Sequence, residues 1–69
     1  MKNRLTEFGK KIKIALIERD RTQNWLIDEV KKKTGLFLDS AYLSRIMVGE
    51  RNAPKIVAAI REILEFEGE

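Results

Sequence analysis

The chain has 69 residues and a net charge of +3, and it contains neither cysteine nor histidine. Its length predicts one small domain over residues 1–69, with a core at about 5–65 and an acidic C-terminal end at 65–69. The missing residue types exclude disulfide bonds, zinc sites built from Cys and His, and the usual general base near neutral pH. Charged residues make up 36% and hydrophobic residues 43%, which is typical of a soluble folded domain.

Positive charge is concentrated in the larger, N-terminal part of the chain. Residues 1–55 carry 13 Lys and Arg against 7 Asp and Glu, whereas residues 56–69 carry Arg61 against four glutamates. A positive body with an acidic end can orient on a polyanion, although small helical proteins often carry charge unevenly. The longest apolar run, Ile56–Ile60, is far too short to span a membrane, and the N-terminus lacks the apolar segment of a signal peptide. We therefore expect a cytoplasmic protein.

The hydrophobic pattern predicts an all-α fold, a small bundle of four to five helices. The first helix is expected over about residues 5–19. Its apolar residues follow helical spacing: Leu5, Phe8, Ile12, Ala15 and Leu16. Ile14 and Ile17 widen this apolar band, so we expect the helix to pack against neighbours on more than one side.

The second helix is expected to begin after Thr22, a suitable N-cap, and to end at about Thr34, before Gly35. Its inner stripe consists of Leu26, Ile27 and Val30.

Two further features of the second helix have alternative interpretations. Trp25 is best interpreted as a partly buried core anchor, with base stacking as the alternative. The run Lys31–Lys33 suits a solvated helix end, where cations favour the negative end of the helix dipole, with direct phosphate contact as the alternative.

The most informative stretch, residues 39–51, predicts a short third helix. Asp39 is a good N-cap, Gly49 can end the helix in a left-handed conformation, and Leu43 and Ile46 share a buried face. The final helix is expected to start near Pro54. Its buried stripe consists of Ile56, Ile60, Ile63 and Leu64.

The outer edge of the third helix has residue types that suit the major groove of DNA. Arg45 can bind guanine with two hydrogen bonds, Ser40 and Ser44 can donate or accept, and the Ala41 methyl group can touch a thymine methyl. Asn52 and Lys55 lie at the start of the last helix, where exposed N–H groups favour phosphate. An ordinary core helix with a solvated outer face is the alternative.

Two short helices joined through a glycine-containing turn, braced by a first and a last helix, form a helix-turn-helix bundle. The residues that carry a family pattern are Thr22-Gln23, Leu26, Tyr42-Leu43-Ser44-Arg45-Ile46, Gly49 and Arg51. This pattern resembles the lambda-repressor/Cro-like helix-turn-helix family, also called the XRE family, over about residues 5–65. The resemblance implies a lambda-repressor-like fold and a transcriptional regulator, commonly of bacteria, their phages or other mobile elements.

The resemblance also implies roles for individual residues. Positions that face base edges match Ser40, Ala41, Ser44 and Arg45. Gln23 matches a position that usually touches phosphate, and Tyr42, Arg51 and Asn52 match positions near the phosphodiester backbone. With Lys55 and the neighbours of Gln23 added, we expect phosphate contacts from Thr22, Gln23, Asn24, Tyr42, Arg51, Asn52 and Lys55. The implied partner is double-stranded DNA, and we expect no cofactor, metal or small-molecule ligand.

A homodimer would double the sequence that is read, because symmetric half-sites match a two-fold protein. Leu64 and Phe66 are candidates for a small dimer contact, although Phe66 better suits the core of the monomer.

The chain departs from the family at two points. Ile27 stands where the family usually has a small residue that lets the two helices cross closely. The distance from Gln23 to Ser40 is also several residues longer than in the family's compact motif. We expect the apolar connector Leu36, Phe37 and Leu38 to fill the resulting gap in the core.

Two other classes of function compete with DNA binding. A small helical protein-interaction module, binding a repressor or a phage factor, is favoured by the acidic final helix and the modest net charge. An enzyme is disfavoured because Asp28 and Glu29 point about 100° apart on a helix and form no carboxylate pair. The chain also lacks a nucleophile with a base and a glycine-rich phosphate loop.

Overall fold

The computed structural model describes residues 5–66, which form four α-helices and no strand within that range. The helices are α1 (Glu7–Glu18), α2 (Gln23–Thr34), α3 (Ser40–Met47) and α4 (Pro54–Leu64). They pack into a bundle of 34 × 25 × 23 Å. The predicted all-α small bundle is therefore confirmed, with four helices in the described residues.

Short-range caps set the boundaries of α2 and α3. The Thr22 hydroxyl accepts from the Trp25 N–H at 3.1 Å, and Gly35 ends α2 in the left-handed conformation at φ 72°. The Asp39 carboxylate accepts from the Tyr42 N–H at 2.8 Å. Each bond satisfies a backbone donor that the first turn of a helix leaves unpaired. The predicted caps of both helices are confirmed.

The starts of α1 and α4 are also set by residues at or next to the first turn. Helix α4 starts at Pro54, as predicted, because proline suits the first turn. Helix α1 starts at Glu7 rather than near Leu5, because the Thr6 hydroxyl caps it by accepting from the Gly9 N–H at 3.0 Å.

One hydrophobic core joins all four helices and the connector. Its largest fully buried side chains are Ile12, Leu26, Leu38, Leu43, Met47, Ile60 and Val30. Helix α2 packs most extensively on α4, while α1 packs on α3 and, less extensively, on α4. The predicted inner stripe of α2 is confirmed, and Ile27, at 7% exposure, lies within the core.

The prediction that α1 packs on more than one side is wrong. Ile14 is 56% exposed and Ile17 is 77% exposed, whereas Ile12, Ala15 and Leu16 are buried. The helix turns a single face toward α3 and α4, so the side chains on its far side remain in solvent.

The connector, residues 35–39, fills the core with one side chain rather than three. Leu38 is 1% exposed, but Leu36 is 40% exposed and Phe37 is 67% exposed. Leu38 thus packs into the core, while the Phe37 side chain next to it stays in solvent. The expectation that all three residues fill the gap is therefore wrong for Phe37 and largely wrong for Leu36.

The C-terminal end of the bundle is closed by contacts between α1 and the end of α4. Leu64 is 2% exposed, so it is not available for the dimer contact considered from the sequence. Phe66 packs edge-on against Phe8 with ring centroids 5.9 Å apart, which confirms its place beside the monomer core. The Arg19 guanidinium donates to the Leu64 carbonyl oxygen at 2.7 Å. The predicted acidic end at 65–69 extends outside the described residues from position 67.

Candidate nucleic-acid interface

Helix α3 separates a buried apolar face from an exposed polar edge. Leu43, Ile46 and Met47 are at most 4% exposed. The four predicted base-reading residues are all exposed: Ser40, Ala41, Ser44 and Arg45. The polar edge of α3 is therefore accessible from solvent along its length.

The end of α3 is fixed by a pair of backbone hydrogen bonds. The Gly49 N–H donates to the Ile46 carbonyl oxygen at 3.1 Å, and the Glu50 N–H donates to the Arg45 carbonyl oxygen at 2.8 Å. This pattern is a Schellman motif, which requires a left-handed residue, and Gly49 has φ 84°. The predicted glycine stop is confirmed, and the sharp exit brings Glu50 back beside the helix.

Helix α1 holds the C-terminal end of α3 through Thr6 and Gly9. The Thr6 N–H and the Thr6 hydroxyl both donate to the Met47 carbonyl oxygen, at 3.0 and 2.8 Å. A Cβ atom on Gly9 would overlap this same carbonyl group, so glycine is needed for the close approach. The sequence interpretation missed this contact, although a glycine inside a helical pattern was the available signal.

An open groove of about 600 Å³, here called the interface groove, runs beside α3. Its lining residues are Leu5, Lys13, Gln23, Ala41, Ser44, Arg45, Met47, Val48 and Glu50. The groove brings the first residue of α2 together with three of the four predicted base-reading residues. Ser40 is exposed at the start of α3 but is not among the lining residues.

Charged side chains of both signs lie on the interface groove. Lys13 comes from α1, Arg45 from α3 and Glu50 from the turn that follows α3, and all three are exposed. Within residues 5–66, none of these three forms an ion pair. Sequence reasoning missed Lys13 and Glu50 as interface residues, because only the packing of α1 against α3 brings them to the groove.

The opposite flank of α3 carries a second group of predicted phosphate-contacting residues. Tyr42 is half-buried, with the Arg51 guanidinium 5.1 Å from its ring centroid and the Phe37 ring 6.4 Å away. Arg51 and Lys55 are exposed. Below them lies an apolar depression, here called the connector cleft, lined by Leu36, Tyr42, Ala53, Pro54, Lys55 and Ile56.

The start of α4 leaves backbone donors without a side-chain cap. Its N-cap residue, Ala53, makes no side-chain hydrogen bond to the first turn. Exposed N–H groups and the positive end of the helix dipole together favour an anion. Asn52 and Lys55, both exposed, stand beside this helix end.

The remaining predicted phosphate contacts lie at the start of α2. Thr22 and Asn24 are exposed, and Gln23 between them is half-buried against the interface groove. The Thr22 hydroxyl accepts the capping bond from Trp25 but stays on the surface.

The other candidate nucleic-acid contacts on α2 are engaged elsewhere. Lys33 pairs with Glu62 at 2.8 Å and Lys32 with Glu29 at 3.5 Å, at the end of α2 opposite Gln23. Trp25 packs against the core, and the Arg21 guanidinium lies 5.0 Å from its ring centroid. These contacts favour a solvated helix end for the lysine run and a core anchor for Trp25.

Among residues 5–66, no group of three or more His, Cys, Asp or Glu side chains is placed to hold a metal ion. None of the helices in this range has the length and apolar character needed to cross a membrane.

Comparison of the chain with protein-family models, with curated proteins and with solved structures yields no match.

Proposed function

We propose that this chain is a sequence-specific double-stranded DNA-binding protein that regulates transcription and reads the major groove with α3. The observation that carries the proposal is the exposed polar edge of α3 beside the interface groove. The further proposal of a lambda-repressor/Cro-like regulator from a phage or other mobile element rests on the resemblance of the motif residues.

The dimensions of α3 and its side chains support base readout. An α-helix with side chains is about 10–12 Å across, which matches a major groove about 12 Å wide. Ser40, Ala41 and Ser44 are small, so they allow the helix backbone to lie close to the base edges. Arg45 is long enough to form two hydrogen bonds with one guanine, the commonest specific contact in such interfaces.

Basic and polar groups on both flanks of α3 support an orientation in which α3 lies in the major groove. Lys13 and Gln23 lie on one flank and Arg51 and Lys55 on the other. Contacts to phosphate fix the register of a protein on the duplex, whereas contacts to base edges supply specificity. An α3 helix lying in the groove would thus have a phosphate strand within reach on either side.

The test is selection of bound duplexes from a random pool, followed by mobility shifts on the selected site. Arg45→Ala should cost about 1–3 kcal/mol on that site and relax the preference at one base pair. Arg45→Lys keeps the charge but loses the planar pair of donors, so it should also relax that preference.

Lys32→Ala is the matched control, because Lys32 is an exposed cation at the far end of α2. It should leave the base preference unchanged. If the Arg45 variants lost affinity equally on every DNA sequence, that result would contradict base readout by Arg45. No shift by the wild-type protein at about 100 mM salt would overturn the proposal as a whole.

A small protein-interaction module is the second candidate, and the connector favours it. Phe37 is 67% exposed and stands beside the connector cleft, which is mainly apolar. A module of this kind would bind a protein partner, and Phe37→Ser would abolish that binding. It would not shift DNA in a mobility assay. Under the DNA-binding proposal, Phe37→Ser leaves the preference for the selected site intact.

A further inference from the structure

Arg51 lies on the turn between α3 and α4, outside any helix, and it is exposed. Within residues 5–66, no carboxylate pairs with its guanidinium group. An arginine side chain has many rotamers, so a free one loses much conformational entropy when it settles on a phosphate. A contact that already restricts Arg51 in the unbound protein would reduce this loss.

The Tyr42 ring supplies such a contact. The guanidinium carbon of Arg51 lies 5.1 Å from the centroid of the ring, within the range of a cation–π interaction. Tyr42 is fixed on α3, where its backbone N–H donates to the Asp39 carboxylate at 2.8 Å, and its ring packs against the hydrophobic core. The Phe37 ring, 6.4 Å away and tilted by 35°, adds a second contact to it. The side chain that supports Arg51 is therefore half-buried and belongs to the helix proposed to enter the major groove.

An arginine that rests on an aromatic ring keeps its capacity to bind phosphate. The N–H donors of a guanidinium group point outward in its plane, whereas stacking uses its faces. A phosphate can accept two of these hydrogen bonds side by side. The contact of Arg51 with Tyr42 is thus compatible with a contact of Arg51 with DNA.

We propose that Tyr42 is a positioning residue, whose ring, rather than its hydroxyl group, serves DNA binding by holding Arg51 in place for a phosphate. This inference rests on the proposed DNA-binding function and deepens it, because it assigns different roles to two residues on one flank of α3. Arg51 touches the phosphate, and Tyr42 acts through Arg51. Since phosphate contacts carry little sequence information, both residues should affect all duplex sequences alike.

A double-mutant cycle on DNA affinity tests this assignment, with the selected duplex and a random duplex of equal length as probes. Tyr42→Leu removes the ring but keeps an apolar side chain. It should weaken binding to both duplexes by about two- to tenfold, the cost of ordering one free side chain. In an Arg51→Ala background the same change should weaken binding by less than about 1.5-fold, because no guanidinium group is left to position.

The salt dependence separates positioning from loss of the contact itself. Arg51→Ala removes a charge, so it should reduce the slope of log K against log salt by about 0.9. Tyr42→Leu leaves the charge in place, so the affinity should fall while the slope stays near the wild-type value. Tyr42→Phe keeps the ring and should recover most of the affinity that Tyr42→Leu loses.

Lys13→Ala provides the control cycle, because Lys13 lies on the opposite flank of α3 from Tyr42 and Arg51. Its effect should add to that of Tyr42→Leu, since the two residues share no contact. Thermal melting verifies that each variant is folded at the temperature of the titrations. An unchanged base preference in Tyr42→Leu shows that α3 itself has not moved.

An equal cost of Tyr42→Leu with and without the Arg51 guanidinium group would overturn the positioning role. A Tyr42→Phe variant as weak as Tyr42→Leu would also overturn it, and would assign the phosphate contact to the Tyr42 hydroxyl group. Both results leave the DNA-binding proposal in place, because the wild-type protein still shifts the duplex. A wild-type protein that shifts neither duplex would overturn the two proposals together.

Discussion

Glu50 places a carboxylate on the interface groove, beside the residues proposed to meet DNA. Its backbone N–H ends α3 by donating to the Arg45 carbonyl oxygen, and this bond does not depend on the side chain. A carboxylate so placed repels the phosphate backbone. We predict that Glu50→Gln strengthens binding to all duplex sequences by about two- to fivefold, the size expected for one exposed charge. Titration of selected and random DNA measures the effect.

Glu62→Gln is the matched control for this prediction. Glu62 is an exposed acid paired with Lys33 at the end of α2 that lies away from the groove. Its neutralisation changes the net charge by the same amount but should alter DNA affinity far less. Equal effects from the two variants would mean that net charge, rather than the position of Glu50, limits binding.

At the residue scale, the sequence predicts which side chains of a single helix are exposed. It predicts less well which side chains of a neighbouring helix lie beside them. The exposure of Ser44 and Arg45 follows from the buried spacing of Leu43 and Ile46, which lies within α3 itself. Lys13 could not be assigned in the same way. It reaches the interface groove only because α1 packs against α3, and that contact depends on tertiary structure.

At the scale of elements, the contact between α1 and α3 leads to a prediction about stability and about the position of α3. Gly9 lets α1 approach the Met47 carbonyl group so closely that a Cβ atom has no space. We predict that Gly9→Ala lowers the free energy of unfolding by about 1–3 kcal/mol, despite the better helix propensity of alanine. Displacement of α3 should also weaken binding to the selected DNA site more than binding to random DNA. Chemical denaturation and mobility shifts measure the two effects.

Lys10→Ala provides the control on the same helix. Lys10 is exposed beside Gly9, so its truncation should change the free energy of unfolding by less than about 0.5 kcal/mol. A Gly9→Ala variant as stable as wild type would show that the α1–α3 contact adapts easily and does not position α3.

Element boundaries were predictable because local chemistry sets them. Thr22, Asp39 and Pro54 each mark a helix start through interactions within a few residues, and the structure places the starts there. The packing of whole faces was not predictable in this way. Ile14 and Ile17 lie on the side of α1 opposite its buried stripe, and only the arrangement of the other helices decides whether that second side is covered.

At the scale of the molecule, two populations of cations within residues 5–66 have different surroundings. Those around α3, including Lys13, Arg51 and Lys55, lie near the proposed DNA contacts. Those of the run Lys31–Lys33 lie at the far end of α2, where two of them are paired with glutamates. The net charge of +3 does not distinguish these populations, but the dependence of binding on salt does.

Each phosphate neutralised by a lysine or arginine contributes about −0.9 to the slope of log K against log salt on B-form DNA. With phosphate contacts from Lys13, Arg51 and Lys55, we predict a wild-type slope of about −3. Lys55→Ala should bring it close to −2, with affinity reduced about equally on all sequences, since phosphate contacts carry little sequence information. Titrations at several salt concentrations give these slopes.

Neutralising Lys31–Lys33 distinguishes direct phosphate contacts around α3 from a general attraction between the positive protein and DNA. A variant in which Lys31, Lys32 and Lys33 are all replaced by glutamine removes three positive charges, whereas Lys55→Ala removes one. If binding depends on contacts around α3, the triple variant keeps the wild-type slope while the single variant loses about one unit. If the triple variant loses more of the slope than Lys55→Ala does, the duplex lies along the end of α2, and the assignment of α3 to the major groove is wrong.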